Sequence, residues 1–229
     1  MSLYAIGDLH LALGAPEKTM EVFAGRWQDY VAKIEKGFSL LSEEDVCVIC
    51  GDFCWSMDLE TAREDFAFLN ALPGKKLMVK GNHDYWWTTA RKMQRFFADN
   101  GFDSISLLHN NCVQWQDLAL CGTRGWFFEE ETGTAHDEKI LRREIGRLDT
   151  SLRAAGEREK LVFLHYPPIY HAYTCDGVLQ KLRDYAVREC YYGHIHGTGI
   201  RSAFQGEREG TAFRLISADY LDFVPLKIR

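Results

Sequence analysis

The order of apolar runs and helix-periodic segments predicts an α/β fold: two packed, mixed β-sheets flanked by helices, an α-β-β-α sandwich. Three observations lead there. Short apolar runs alternate with segments whose apolar residues recur every three or four positions. Several runs end in Gly followed by Asp or Asn, as at Gly51-Asp52 and Gly81-Asn82, the mark of a buried strand turning into a loop. Of 229 residues 46% are apolar, enough for a sizeable core, and there is no Pro/Ser-rich linker, repeat or low-complexity tract.

The elements follow in chain order. Residues 2–7 form a first strand, after which Met20, Phe23, Trp27, Val31 and Ile34 recur at helical spacing. Residues 45–50 form a second strand. Ser56 then reads as the cap of a helix with Asp58 and Glu60 in its first turn and Leu59, Ala62, Phe66 and Leu69 on one face, stopped by Pro73-Gly74. A third strand over 76–80 is followed by a helix over about 89–98. Residues 104–122 hold short β-like runs broken at Asn110-Asn111 and Gln116-Asp117, which read as antiparallel. Thr134-x-x-Asp137 opens a helix carrying Leu141, Ile145, Leu148 and Leu152. Further strands are expected over 161–164 and 190–192, and 211–217 with 224–228 are expected to close the second sheet.

Composition excludes several classes. Lys and Arg number 27 against 33 acidic residues, a formal charge of −6, which argues against an extended nucleic-acid surface. No run approaches the roughly 18 apolar residues of a membrane span, and nothing at the N-terminus reads as a targeting signal. The spacing Cys47-x2-Cys50-x3-Cys54 could be read as thiolate metal ligands. No second pair completes such a site, so the seven cysteines are expected to be buried free thiols in a reducing cytoplasm.

Polar residues accumulate immediately after the strands: Asp8-x-His10, Gly51-Asp52, Gly81-Asn82-His83-Asp84, His165, and Gly193-His194-Ile195-His196. Ligands of open α/β sheets sit beyond the carboxyl ends of the strands, so five segments deliver Asp, Asn and His to one edge. The i, i+2 spacing in Asp8-x-His10 and His194-x-His196 lets both side chains point the same way from extended backbone. Because these residues run from Asp8 to His196, residues 1–229 are read as one domain. Imidazole, carboxylate and carboxamide without thiolate suit Mn, Fe, Zn or Co better than a structural zinc cage. Two Asp, one Asn and four His exceed the needs of one ion; with one carboxylate shared they supply four positions on each of two.

The ordered blocks Asp-x-His, Gly-Asp, Gly-Asn-His-Asp, His and Gly-His-x-His resemble the calcineurin-like metallophosphoesterase superfamily. The resemblance implies that Asp8, His10 and His196 hold one metal ion and Asn82, His165 and His194 a second, with Asp52 bridging. It also implies that His83 is the general acid and Asp84 its orienting partner. The expected cofactors are two divalent or trivalent ions, Mn or Fe favoured, which supply the positive charge that lysine and arginine do not. The expected reaction is in-line attack of metal-activated hydroxide on a small phosphate ester. The protein Ser/Thr phosphatase branch has a phosphate-gripping arginine where this chain has Ser56, so phosphodiesters are expected over phosphoproteins. A protein-binding scaffold would have lost ligands, and this chain keeps them all.

Aromatic residues surround these blocks. Tyr85, Trp86 and Trp126 are candidates to stack on substrate, whereas Trp87 and Phe128 are expected in the core. Arg124 reads as a solvated arginine before a phosphate clamp, and Glu129, Glu130 and Glu131 as a solvated loop. His109, His136 and His171 match no block and are expected to be surface or satisfied core histidines.

Overall fold

The computed structural model describes residues 1–127 and 134–229; Phe128, Glu129, Glu130 and Glu131 lie outside the described residues. The strands β1 (Leu3–Ile6), β2 (Val46–Cys50), β3 (Lys75–Val79) and β4 (Ile105–Leu107) pair in that order, all parallel. Between them run α1 (Tyr30–Phe38), α2 (Arg63–Ala71) and α3 (Ala90–Asn100). The chain then crosses to a second sheet, beginning with the antiparallel hairpin of β5 (Cys112–Trp115) and β6 (Leu118–Thr123). After α4 (Ala135–Ala154), β7 (Glu159–Leu164) lies parallel to β6. A small hairpin, β8 (Ile169–Tyr170) and β9 (Tyr173–Thr174), and α5 (Asp176–Asp184) lead to β10 (Glu189–Tyr192), parallel to β7. The hairpin of β11 (Gly206–Arg208) and β12 (Thr211–Leu215) adds β12 parallel to β10, giving the order β11-β12-β10-β7-β6-β5. Last, β13 (Leu226–Lys227) returns to the first sheet, antiparallel to β1.

Strand alternation sorts the core into three layers. In β2, Cys47 and Ile49 face the helices and pack with Ile34, Phe38, Phe66 and Met93. Val48 and Cys50 point the other way, into a layer shared with Leu161, Phe163 and Tyr191 of the second sheet. The opposite faces of β7 and β10 carry Val162, Leu164 and Cys190, which pack under Leu148 and Leu152 of α4 and Leu179 of α5. Helix, sheet, sheet, helix is therefore the expected sandwich. Each such side chain contributes roughly 1.5–3 kcal/mol by leaving water. All seven cysteines are free thiols. Because Cys47 and Cys50 serve opposite faces of β2, they cannot share an ion. No helix among the described residues is long and apolar enough to cross a membrane.

Several elements depart from expectation. The periodic stretch from Met20 is not one helix but two short 3-10 turns followed by α1, because Ala24, Gly25 and Asp29 adopt positive φ of 51°, 58° and 52°. Ser56 does not cap α2. Its hydroxyl donates to Asp65 (3.0 Å), and α2 begins later, at Arg63. β4 is parallel to β3 rather than part of an antiparallel run, and β13 joins the first sheet, not the second. The capping box at Thr134 and Asp137 is formed reciprocally, as expected.

Candidate metal centre

Every sequence-predicted ligand lies just past the carboxyl end of a parallel strand: Asp8 and His10 after β1, Asp52 after β2, Asn82 after β3, His165 after β7, His194 and His196 after β10. The backbone there is not extended. Asp8, His10, Asp52 and His194 have φ of 60°, 46°, 50° and 71°, the left-handed region, at a cost of about 1–3 kcal/mol each. Hydrogen bonds to neighbouring strand ends hold these turns, as in Asp8 N to Gly51 O and His10 N to Asp52 O, both 2.9 Å. The turns also send His194 and His196 to different ligand groups. Gly81 and Gly193 permit close approach: a Cβ on Gly81 would stand 2.1 Å from the Asp52 nitrogen, and one on Gly193 2.4 Å from the Asp8 carboxylate.

Two groups result. Asp8, His10 and His196 bring ligand atoms within 4.8 Å of one another, and so do Asp52, His165 and His194. Asn82 Oδ1 joins the second group, 2.6 Å from His165 Nε2 and 2.9 Å from His194 Nδ1. Asp52 Oδ2 lies between the groups, 3.7 Å from His10 Nε2 and 3.5 Å from His165 Nε2.

The donor set fits cations. His165 Nδ1 donates to the Cys50 carbonyl (3.0 Å), so its Nε2 presents a lone pair to the oxygens of Asn82 and Asp52. Burial keeps this ring neutral, its pKa lowered to about 3, and does the same for His194. His10 is likewise held well below the ordinary value by burial, with His196 adding to it. Asp8, Asp52 and Asp84 are all buried, with no lysine or arginine in ion-pair range among the described residues. Burial raises the Asp52 pKa well above the usual value, and Asp84 and Asp8 add to that. Burial opposes charge on His196, yet Asp8 and Asp219 outweigh it and raise its pKa to about 10. Imidazoles and carboxylates converge without a lysine or arginine to balance them among the described residues, an arrangement that positive ions complete, displacing the proton that the carboxylates hold on His196.

Around the groups, the structure revises some roles. Asp84 does not face the His83 ring: its carboxylate accepts from the backbone N–H of Gly81 (2.6 Å), Phe53 (2.8 Å) and Asp52 (3.1 Å), fixing two ligand loops against each other. The contact at His83 Nδ1 is instead the Tyr85 hydroxyl, at 3.3 Å. Trp55 lies between rings, stacked on His10 at 4.9 Å and against His83 at 4.4 Å. Trp86 is core, edge-on to Phe53 and Phe66, so it is no stacking platform, and Trp87 is buried as expected. Tyr85 is exposed, and Trp126 packs on Tyr166. His109, His136 and His171 join neither group. Sequence reasoning missed Asp219, which accepts from His196 Nδ1 (2.8 Å) and Gly197 N (3.0 Å). The signal was available, since Asp219 follows the 211–217 run as the ligands follow theirs.

Two adjoining sets of imidazole, carboxylate and carboxamide at the rim of such a sandwich define a class, the metal-dependent hydrolases with paired ion sites. The sequence profile of the calcineurin-like phosphoesterases matches residues 1–198, and the chain belongs to that family. It is a metal-dependent phosphoesterase. Among solved structures it is similar to the phosphopantetheinyl hydrolase PptH from Mycobacterium tuberculosis, at 14% identity and TM-score 0.61, with 99% of this chain and 95% of that one covered. A protein of unknown function from Aquifex aeolicus gives 17% identity and TM-score 0.50 over 99% and 95% of the two chains. A protein from Thermus thermophilus gives 11% and 0.51 over 85% and 81%. At such identities the likeness is one of fold. A comparison with curated protein sequences finds no match.

Proposed function

We propose that this phosphoesterase hydrolyses phosphodiesters of small organic molecules. In this reading Asp8, His10 and His196 hold one ion, Asn82, His165 and His194 the other, and Asp52 is shared, with Mn or Fe the favoured metals. When bound, the ions supply Lewis acidity toward phosphate oxygens and lower the pKa of water. The chain's own residues do the rest. The Asp84 carboxylate, by gathering three backbone N–H groups, keeps the Asp52 and Asn82 loops in register. His83 belongs to neither ligand group, and the Tyr85 hydroxyl at its Nδ1 leaves Nε2 for the departing oxygen, the place of a general acid. A cleft of about 330 Å³ lined by Phe127, Tyr170, Ile195 and Gly199 beside His194 and His196 offers an apolar wall for one organic arm. The free thiols fit a reducing compartment such as the cytoplasm.

The observation that carries the diester reading is Ser56. It is fully buried and bonded to Asp65, so the loop after β2 brings no cation to the peripheral oxygens of a monoester dianion. A diester carries one charge fewer and needs less. The Mn²⁺-loaded protein should therefore hydrolyse bis(p-nitrophenyl) phosphate faster than a phosphoserine peptide; the reverse order would move the assignment to phosphomonoesters. His83→Ala should keep its metal and lose roughly 10²–10⁴ in kcat on alkyl esters, with much smaller loss on p-nitrophenyl esters, whose leaving group needs no proton. Equal losses on both, or an emptied metal site, would remove the acid role.

A further inference from the structure

The Asp84 carboxylate is occupied by three backbone N–H groups, so the orientation of the His83 ring has another origin. The His83 backbone is anchored, its N–H donating to Asp52 Oδ1 (2.8 Å), but the imidazole can still turn about two side-chain bonds. Among the described residues no carboxylate forms an ion pair with it; those of the imidazoles belong to His10, His165 and His196. Its hydrogen-bond contact is the Tyr85 hydroxyl at 3.3 Å, from a residue 51% exposed, where water competes for the same nitrogen. That contact alone is a weak hold on the ring.

The indole of Trp55 supplies a second one. Its centroid is 4.4 Å from that of His83, with the planes 46° apart, and 4.9 Å from that of His10, nearly parallel at 21°. The centroids of His10 and His83 are 5.8 Å apart, so the three rings are mutual neighbours. Trp55 is itself firmly placed. Its backbone N–H donates to Leu11 O (2.9 Å), and its carbonyl accepts from Lys18 Nζ (3.2 Å). Buried Asp65 of α2 accepts the hydroxyl of the next residue, Ser56, with one oxygen (3.0 Å) and the Leu13 N–H with the other (2.8 Å). That carboxylate ties the loop after β2, which carries Trp55, to the loop after β1, which carries His10. Adjacent rings prefer a limited set of tilts, so an indole fixed by its backbone restricts the imidazole lying against it.

We propose that Trp55 is the positioning residue for His83, its indole holding the imidazole plane while the Tyr85 hydroxyl holds Nδ1, so that Nε2 keeps one direction. This rests on the general-acid reading of His83 above and adds the group that aims it. Trp55 acts through His83 and transfers no proton itself. Misplacing a reacting group by about 1 Å costs on the order of 10²-fold in rate, which sets the scale of the effect.

The test compares Trp55→Ala and Trp55→Phe on an alkyl diester, glycerophosphoethanolamine, and on bis(p-nitrophenyl) phosphate, at saturating Mn²⁺. Trp55 Nε1 has no hydrogen-bond partner among the described residues, so phenylalanine there breaks no bond and keeps a ring. Trp55→Ala should lower kcat on the alkyl diester by about 10–100-fold and by no more than about threefold on the activated one, whose leaving group needs no proton. Trp55→Phe should recover most of the alkyl activity. Added to His83→Ala, Trp55→Ala should cause no further loss on the alkyl diester, because both act on one step. Independently of turnover, crystals of the metal-stripped protein should show one orientation of the His83 ring, and crystals of Trp55→Ala more than one. Equal losses on the two diesters, a further loss in the His83→Ala background, or a ring that keeps its orientation without the indole would overturn the proposal and leave Trp55 as packing for His10. Should the unmodified enzyme hydrolyse no alkyl diester, or His83→Ala lose equally on both, the diester or the acid reading fails. The ring's orientation in the Trp55→Ala crystals then still decides whether the indole holds it.

Discussion

Replacing Asp219 with Asn probes whether the His196 ring is held for metal or merely packed. Asp219 Oδ1 accepts the His196 Nδ1 proton at 2.8 Å and Oδ2 the Gly197 N–H at 3.0 Å, while the side chain is 1% exposed. The amide can fill the same space and keep an oxygen toward the ring, so the fold should survive. What it removes is negative charge on the far side of the imidazole, and with it ligand basicity. Losing such a partner typically lowers metal affinity 10–100-fold, which is about 1.4–2.7 kcal/mol. Arg26 donates to the Asp219 backbone carbonyl (2.6 Å), a contact the substitution leaves alone. The assay is Mn²⁺ titration against a competing chelator, with circular dichroism to confirm folding. One ion of two should weaken, the one on the His196 side. Affinity equal to the unmodified protein at both sites would refute the reasoning, because the carboxylate would then be idle.

Two other perturbations follow from the structure. Lys76 is fully buried in β3, bonded to the Leu72 carbonyl and Ser104 hydroxyl, and burial lowers its pKa to about 8. The native state therefore loses this proton before the unfolded state does between about pH 8 and 10.5, so stability rises with pH across that window. Lys76→Met should accordingly stabilise the protein by about 2–3 kcal/mol more at pH 7 than at pH 10.5, read as the difference in urea unfolding free energy. The same difference at both pH values would show that the lysine is not desolvated as described. For glycine, Gly81→Ala should displace Asp52 and cost metal content together with roughly 1–3 kcal/mol of stability. Gly146→Ala, in α4 with open space about it, should stabilise by about 0.5–1 kcal/mol, and melting curves with elemental analysis separate the two.

The ligands were legible because the motif lies at fixed places, directly after apolar runs, where the chain leaves a strand. Their backbone was not. Sequence spacing suggested that Asp8 and His10 share a face of extended chain, but the left-handed turns at both arise from tertiary bonds to Gly51 and Asp52. Asp219 escaped because it stands alone, a single Asp whose partner is 23 residues away in His196. Secondary structure failed where local pattern and tertiary demand diverged. The apolar spacing from Met20 to Ile34 is helical, yet Trp27 ends a short 3-10 turn ahead of α1 and packs against His10 and His196. α5 carries Val178, Leu179 and Leu182 at helical spacing, but the residue before its first turn, Cys175, gives no side-chain cap, so nothing marked its beginning.

Why these ligands come from both sheets follows from how the rims are joined. Gly7 N donates to Ile216 O (2.7 Å) and Ala218 N to Gly7 O (3.0 Å), stitching the end of β1 to the end of β12 across the sandwich. His165 of the second sheet donates to Cys50 of the first, and His194 N donates to both carboxylate oxygens of Asp8 at 3.0 Å. Each ligand group therefore contains members from both sheets, and neither is complete until the layer of Val48, Cys50, Leu161 and Phe163 has closed. Burying that layer brings three carboxylates out of water, a cost that falls within the same event as the apolar gain. A cation that binds only the docked sheets offsets that cost, so metal binding and sheet docking are one linked equilibrium rather than two successive ones.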